Sequence, residues 1–375
     1  MDFSYHDDQV AILELAGQIF REQASHERQR ECEKSDDPRF DPALWHSLAE
    51  AGILGTAISE AHAGAGLGFL ELCGVMEHAG RTTAPAPVFE TMVLGALAID
   101  AFGSDAQKAR LLPDVAAGNL ILTAAYGEGP GDPLHPATTA TADGGGFLLT
   151  GTKLCVAEAA RADASLVSAA CGNEVVIVIV PKDASGVALA DVETVTGRSE
   201  AHVSFDGTAV PAEDVLVGPA GGRKALVCAL EWANAAQSAY ALGVCEAALE
   251  LTSDYVKTRK QFDQPIAMFQ AVGHRAADAY IDVEAIRLTT QQAVWRLDAG
   301  LEASKEVAVA KYWAAEGGQR VVAAAQHLHG GVGVDKEYPL HRYYLAAKHL
   351  ELTLGGMTPQ LLRLGKMLAE EPARV

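Results

Sequence analysis

Residues 225–257 read ALVCALEWANAAQSAYALGVCEAALELTSDYVK, with no proline and a single glycine, Gly243. An apolar-rich run of that length without a breaker predicts one buried helix of about nine turns. Two further runs, Gln270 to Ala299 and Ser304 to His327, follow after short connections. Three or four long helices with short loops predict an antiparallel bundle. Upstream, between residues 120 and 220, the texture is different. Short β-rich runs lie at Leu120 to Ala125, Gly146 to Leu149, Ser165 to Ala170, Glu174 to Val180 and Ala201 to Phe205. Turn clusters GPGDP, DGGG, CGN, KDASG and FDG separate them. A domain of six to eight strands, a sandwich or small barrel, is expected there.

The N-terminal third reads as helical. Val10, Ile12, Leu13, Leu15, Ala16, Ile19 and Phe20 form a stripe within Asp8 to Ala24. Asp41 can cap the next helix, with Pro42 at its first position and an end near Gly52. Pro85 and Pro87 break the pattern, and Met92 to Phe102 predicts another helix, stopped by Gly103. The fold class is therefore α+β and multidomain. A helical domain over 1–119 is followed by a β domain over 120–221 and a helical bundle over 222–375.

The chain has 375 residues, with 29 Lys+Arg against 49 Asp+Glu and a formal charge of −20. So acidic a balance argues against nucleic acid and anionic membrane as partners. Cys32, Cys73, Cys155, Cys171, Cys228 and Cys245 contain no CxxC pair, and so read as thiols in a reducing compartment. The opening MDFSYHDDQV lacks the basic and apolar regions of a signal peptide. No run reaches the roughly 18 apolar residues of a membrane span. The expected location is the cytoplasm.

Familiar motifs are missing. There is no P-loop and no GxSxG. GAGLG at 64–68 follows no strand and reads as a turn. His327 and His329 stand two apart, a spacing that suits no helical metal pair, so no metal is expected. Two stretches remain chemically odd. One is Tyr255-Val-Lys-Thr-Arg259-Lys-Gln261-Phe262-Asp-Gln-Pro265-Ile266 with Phe269-Gln270. Its cations suit either the dipole of a helix end or a ligand phosphate. The other is His327-Leu-His329-Gly330-Gly331-Val-Gly333, then Glu337-Tyr-Pro-Leu-His-Arg342-Tyr. Its glycines suit either a helix end or close approach to a flat ligand. The residues alone leave both choices open.

In this order and on these helices, the two stretches resemble the acyl-CoA dehydrogenase family of flavoproteins. The likeness extends along nearly the whole chain. It includes Trp45 to Gly55, Glu60 to Gly68, Phe102-Gly-Ser104 with Gln107-Lys108 and Leu111-Leu-Pro113, Gly151-Thr-Lys153 with Ala162-Asp163, and Val210-Pro-Ala212 with Val215-Leu216. The resemblance implies FAD-dependent α,β-dehydrogenation of an acyl-CoA thioester. A carboxylate takes the α proton and the β hydride goes to the flavin. It also implies that Arg259, Gln261, Phe262, Phe269, His327, Gly330 and Gly331 contact an FAD whose ring sits in another subunit. Electrons would pass to an electron-transfer flavoprotein.

This sequence departs from the family at the chemistry. The usual base position, in Lys348-His-Leu-Glu351-Leu-Thr-Leu354-Gly355-Gly356, holds Leu354. The alternative position, on the first bundle helix, aligns with Ala233, followed by Asn234. Neither Leu nor Ala can accept a proton. The loop expected beside the flavin ring reads Tyr126-Gly-Glu128-Gly-Pro130-Gly-Asp132-Pro133, with Gly127 in place of a ring-bonding Thr. Cys155 and Ala157 stand where Trp and Thr usually cover the ring, and His327 replaces a Gln. What the chain offers its own ring is degraded, and what it offers a partner's FAD is largely kept. That asymmetry resembles the non-catalytic subunit of heteromeric actinobacterial enzymes acting on steroid side-chain CoA thioesters. It implies a homologous catalytic partner in an α2β2 assembly. Two other readings remain. One is a self-sufficient enzyme with a displaced base at Glu351, Glu231 or Glu128. The other is a flavin-free scaffold.

Overall fold

The computed structural model describes residues 3, 5–35, 37, 39–129 and 131–370. The N-terminal reading that rests on Met1, Asp2 and Ser4, the turn residue Pro130, and residues 371–375 of the C-terminal domain lie outside the described residues. The α-helices are α1 (Asp7–Gln23), α2 (His26–Cys32), α3 (Pro42–Glu50), α4 (Phe69–Thr82), α5 (Leu97–Phe102), α6 (Asp105–Ala116), α7 (Pro219–Thr258), α8 (Gln270–Asp298), α9 (Ser304–His329), α10 (Leu340–Leu352) and α11 (Met357–Glu370). The strands are β1 (Leu122–Ala125), β2 (Thr139–Asp143), β3 (Gly146–Ala157), β4 (Ala164–Cys171), β5 (Glu174–Pro181), β6 (Val187–Val192), β7 (Glu200–Val210), β8 (Val215–Val217), β9 (Lys260–Gln261) and β10 (Gln264–Pro265). Two units are formed: Arg30–Gly68 with Pro85–Ala233, and Met1–Gln29 with Phe69–Ala84 and Asn234–Val375.

The first unit holds the sheet. Its eight strands run β6-β7-β3-β2-β4-β5-β8, with β1 also paired to β4. These strands form one continuous hydrogen-bonded sheet, and a single apolar core draws on β3 and β7 as well as on β4 and β5. β4 makes the join: β5 lines it from end to end, while β1 pairs with 164–167 and β2 with Ala170. Val175 to Val180 of β5 are all buried, which explains why that run does not alternate. β3 is three times the length predicted from Gly146 to Leu149. It passes register shifts at Leu149/Thr150 and Lys153/Val156. Gly151, at φ 147°, lets it through, because a Cβ there would lie 2.7 Å from the Thr138 backbone.

Helix starts follow their caps. Asp41 accepts from the Ala43 and Leu44 amides with Pro42 at the first position of α3, as predicted. Ser104 and Gln107 form a capping box on α6, and the buried Gln107 amide also donates to the Glu213 and Val215 carbonyls. The FGS…Q pattern is thus a helix start tied to β8. One prediction needs correction: the helix before Gly103 begins as a π-helix, Phe89–Ala96, and becomes α only at Leu97. Thr91 in that turn bonds both the amide and the carbonyl of Leu122 on β1. That is the kind of local tertiary contact that sequence periodicity does not carry.

In the second unit, α4 packs on α7 at very close range. A Cβ on Gly243 would lie 2.0 Å from the Glu77 carbonyl, and one on Gly80 2.0 Å from the Tyr240 carbonyl. The single glycine of the long run is therefore a helix-crossing point. Beside it lies a charged cluster. Arg81 bonds Glu246 and Glu250 at 2.6 Å each, and Arg287 also pairs with Glu246. Burial, then the Glu246 carboxylate, pushes the Glu77 carboxyl up to about 7, against the pull of Arg287 and Arg81. A carboxyl raised in this way contributes stability that is full below its ordinary value of 4.5 and is lost as pH rises through about 7. Glu77→Gln is therefore expected to stabilise the protein by about 1–3 kcal/mol at pH 8. Thermal unfolding repeated near pH 4.5, the group's ordinary value, should show little difference.

Candidate functional site

α7 ends at Thr258, and the chain turns at once into the β9–β10 hairpin. The Ile266 amide donates to the Arg259 carbonyl at 2.8 Å and closes the turn. The two residues at the tip, Phe262 and Asp263, have φ of 54° and 63°. Such turns favour Asn-Gly, and a bulky side chain there is strained by about 1–3 kcal/mol. Phe262 is nonetheless 89% exposed, and its ring meets the ring of Phe269 edge-on at 6.3 Å. Arg259 is exposed, and its guanidinium has no side-chain partner among the described residues. Gln261 donates to the neighbouring Lys260 carbonyl. Strain, an exposed ring and an uncommitted guanidinium thus share one turn.

The end of α9 comes to the same place. The His329 ring stacks on Tyr255 at 4.3 Å. Its Nδ1 donates to the Ala325 carbonyl at 2.8 Å, and its Nε2 accepts from the Tyr338 hydroxyl at 3.2 Å. Burial lowers its pKa, against the bond to Ala325, so the ring is neutral and both nitrogens are engaged. His329 is therefore a clasp between α7 and α9, and a metal ligand role is closed to it. Next to it, Gly330 has φ 59°, and added Cβ atoms on Gly330 or Gly331 would meet nothing within 4 Å. The backbone there lies open. His327 is exposed, and Arg275 of α8 donates to its Nδ1. The fold thus joins the two odd stretches into one surface patch. Sequence reading missed Tyr255, Tyr338 and Arg275 as the residues that join it. Tyr255 opens the first stretch and Tyr338 follows the second, and those two rings were the signal.

The turn between α10 and α11 carries Leu354 at φ 60° and Gly355 at φ 88°. Gln360, buried, donates its amide to the carbonyls of Leu354 at 3.3 Å and Gly355 at 3.2 Å. Lys311, fully buried, donates to Gln237 and to the Leu350 carbonyl at 2.5 Å. Burial pushes Lys311 down to about 7, against the pull of Glu351. The turn is firmly built, yet it presents a leucine. Ala233, the other expected base position, is fully buried on α7. Glu351 is paired with Lys348 at 2.5 Å, and Glu231 is buried.

The remaining acid is Glu128, after β1. It accepts from the amides of Ala137 and Thr138 and from Lys153 Nζ, the last at 2.5 Å. Burial opposes ionisation, but these donors outweigh it and hold the carboxyl below its usual range. Lys153 is fully buried and also donates to Ser168. Glu128 is thus a structural anion pinning its loop, not a base. Around it, Gly127 offers no side chain, Cys155 at φ 49° is exposed, and Ala157 is apolar.

Comparison with known proteins points in one direction. Residues 6–119 match the acyl-CoA dehydrogenase N-terminal domain, and residues 220–368 match the acyl-CoA dehydrogenase C-terminal domain. The chain is 40% identical over 385 aligned residues to acyl-CoA dehydrogenase FadE27 of Mycobacterium tuberculosis, covering 100% of both chains. Its structure matches the ChsE4-ChsE5 complex from Mycobacterium tuberculosis with TM-score 0.94, at 39% identity over 100% of each chain. It matches a variant of the Tcur3481-Tcur3483 steroid ACAD with TM-score 0.91, at 42% identity over 97% of this chain and 98% of that one. No described helix is long and apolar enough to cross a membrane.

Proposed function

The chain belongs to the acyl-CoA dehydrogenase family, whose members are FAD flavoproteins, and we propose that it is the subunit of a heteromeric enzyme that lacks a base and completes its partner's FAD site. The observation that carries this reading is the uneven loss. Leu354 and Ala233 stand at both base positions, Glu128 is held by Lys153, and Glu351 is held by Lys348. The patch of Arg259, Phe262, His327, Gly330 and Gly331 is intact and open. That patch fits the adenosine diphosphate end of FAD. Arg259 has donors to spare for a phosphate, Phe262 and Phe269 offer apolar faces, and the glycines admit close backbone approach. The ring end fits poorly, because Gly127, Cys155 and Ala157 supply none of the usual contacts. Residues 1–119, 120–221 and 222–375 would then be the family's helical, β and bundle domains.

When bound, FAD supplies a hydride acceptor for the β hydrogen of an acyl-CoA. The α proton would go to a carboxylate of the homologous partner, and this chain's part is to bind and orient that partner's cofactor. Two of the similar structures are named as pairs of chains, ChsE4-ChsE5 and Tcur3481-Tcur3483, which supports a paired, α2β2 arrangement here. The second is named a steroid ACAD, and this favours a steroid side-chain CoA thioester as substrate. Electrons would pass to an electron-transfer flavoprotein in the cytoplasm.

Flavin absorbance per mole of protein tests the reading. The chain alone is expected to be colourless. Co-expressed with a homologous dehydrogenase chain that carries a Glu base, it should give one FAD per unlike pair. One FAD per chain in the isolated protein overturns the proposal. Glu351→Gln is expected to leave turnover of the two-chain enzyme within about twofold of the parent. A displaced base at Glu351 would instead show as turnover by the isolated chain that Glu351→Gln abolishes.

A further inference from the structure

Arg275 projects from the first turns of α8 and donates from Nη1 to His327 Nδ1, at 2.5 Å. It does so although Asp278 stands one turn further along the same helix. Both Arg275 and Asp278 line a groove of about 490 Å³ between α8 and α9. At the other end of that groove, Arg320 takes Asp282 in a two-pronged pair. Arg275 therefore spends a donor on an imidazole with a carboxylate close by.

A guanidinium can only donate. The nitrogen that receives its bond must offer a lone pair, so Nδ1 of His327 carries no proton. The neutral ring then keeps its hydrogen on Nε2. Nε2 has no partner among the described residues, and His327 is exposed beside the open Gly330-Gly331 turn. We propose that Arg275 is a positioning residue that fixes His327 as its Nε2–H tautomer, so that His327 donates to the partner's FAD. This deepens the shared-site reading and rests on it. A histidine at this position otherwise divides between two tautomers, only one of which donates from Nε2. Arg275 removes that ambiguity, giving the imidazole a donor as definite as that of the amide it replaces.

Two measurements test this on the full chain. In the first, ring nitrogen spectra of the histidine-labelled protein should show His327 as the Nε2–H form. Arg275→Met should convert it to a mixture. An unchanged spectrum overturns the proposal. In the second, FAD affinity is measured for the two-chain complex. Arg275→Met is expected to weaken it about twofold, because affinity falls with the fraction of rings left in the donating tautomer. Made on a His327→Gln background, the same substitution should cost nothing further, because an amide carries its own fixed donor. A loss that persists on that background overturns the proposal, since Arg275 would then act on the ligand directly or through the fold. Arg259→Met separates the two ideas. If it weakens FAD binding and Arg275→Met does not, only the positioning role falls. If Arg259→Met leaves affinity unchanged, the shared site falls and the donor role of His327 with it.

Discussion

Replacing Arg259 by Met is expected to weaken FAD binding by the two-chain complex about 10–100-fold. A hydrogen bond to a charged phosphate is worth about 1.5–3 kcal/mol, and each 1.4 kcal/mol is about tenfold in affinity. Arg259 is exposed and has no side-chain partner among the described residues. Its removal should therefore change the thermal stability of the isolated chain by less than about 0.5 kcal/mol. That separation of affinity from stability is the useful feature. A structural arginine would lower both together. Flavin retained on gel filtration and fluorescence titration with added FAD report the first quantity, and unfolding of the chain alone reports the second. Excess FAD should restore turnover, because the substituted residue touches no reacting atom. Unchanged affinity would overturn the shared FAD site.

Lys153→Met is expected to be the most damaging single change in the sheet unit, at about 3–5 kcal/mol. Lys153 is fully buried, and its ammonium meets Glu128, whose carboxylate is only 14% exposed. Taking away the cation leaves that anion with the Ala137 and Thr138 amides and little water. The anion must then protonate or pull the 127–138 loop open. Glu128→Gln on top of Lys153→Met should recover part of the loss, since a neutral amide can stay where a lone carboxylate cannot. The sign with pH follows from the depressed carboxyl. The pair stabilises the protein at neutral pH, and its contribution is lost as pH falls below the usual carboxylate range. The parent and Lys153→Met should therefore converge in acid, measured as midpoints of thermal unfolding. A loss below about 1 kcal/mol at neutral pH would mean the pair is solvated and Glu128 is available to chemistry after all.

The long helices α7, α8 and α9 were legible because length and the scarcity of breakers predict them without reference to anything distant. α3 was further marked by its own cap at Asp41, which acts over three residues. The strands were harder. β2 and β6 are largely exposed, so they carry no apolar alternation, and each forms only because a neighbour lends hydrogen bonds. β3 hid behind Gly151, which reads as a break and is in fact a close backbone crossing. The π-turn at Phe89–Ala96 followed the same rule, since its contacts to β1 lie about thirty residues away.

The candidate site divides along the same line. The proposed loss of its base rests on residue identity: Leu354 and Ala233 have no ionisable group, so no surrounding fold can make either accept a proton. Its open patch was hinted at by Arg259, Phe262 and the Gly330-Gly331 pair, but their meeting depended on Tyr255 stacking on His329 across 74 residues. The acids that are present are a different matter. Glu128 and Glu351 read in sequence as candidate displaced bases, and only tertiary structure committed them, to Lys153 and Lys348. What a side chain can never do follows from its own atoms, whereas what it is free to do follows from the charges and hydrogen bonds that folding places around it.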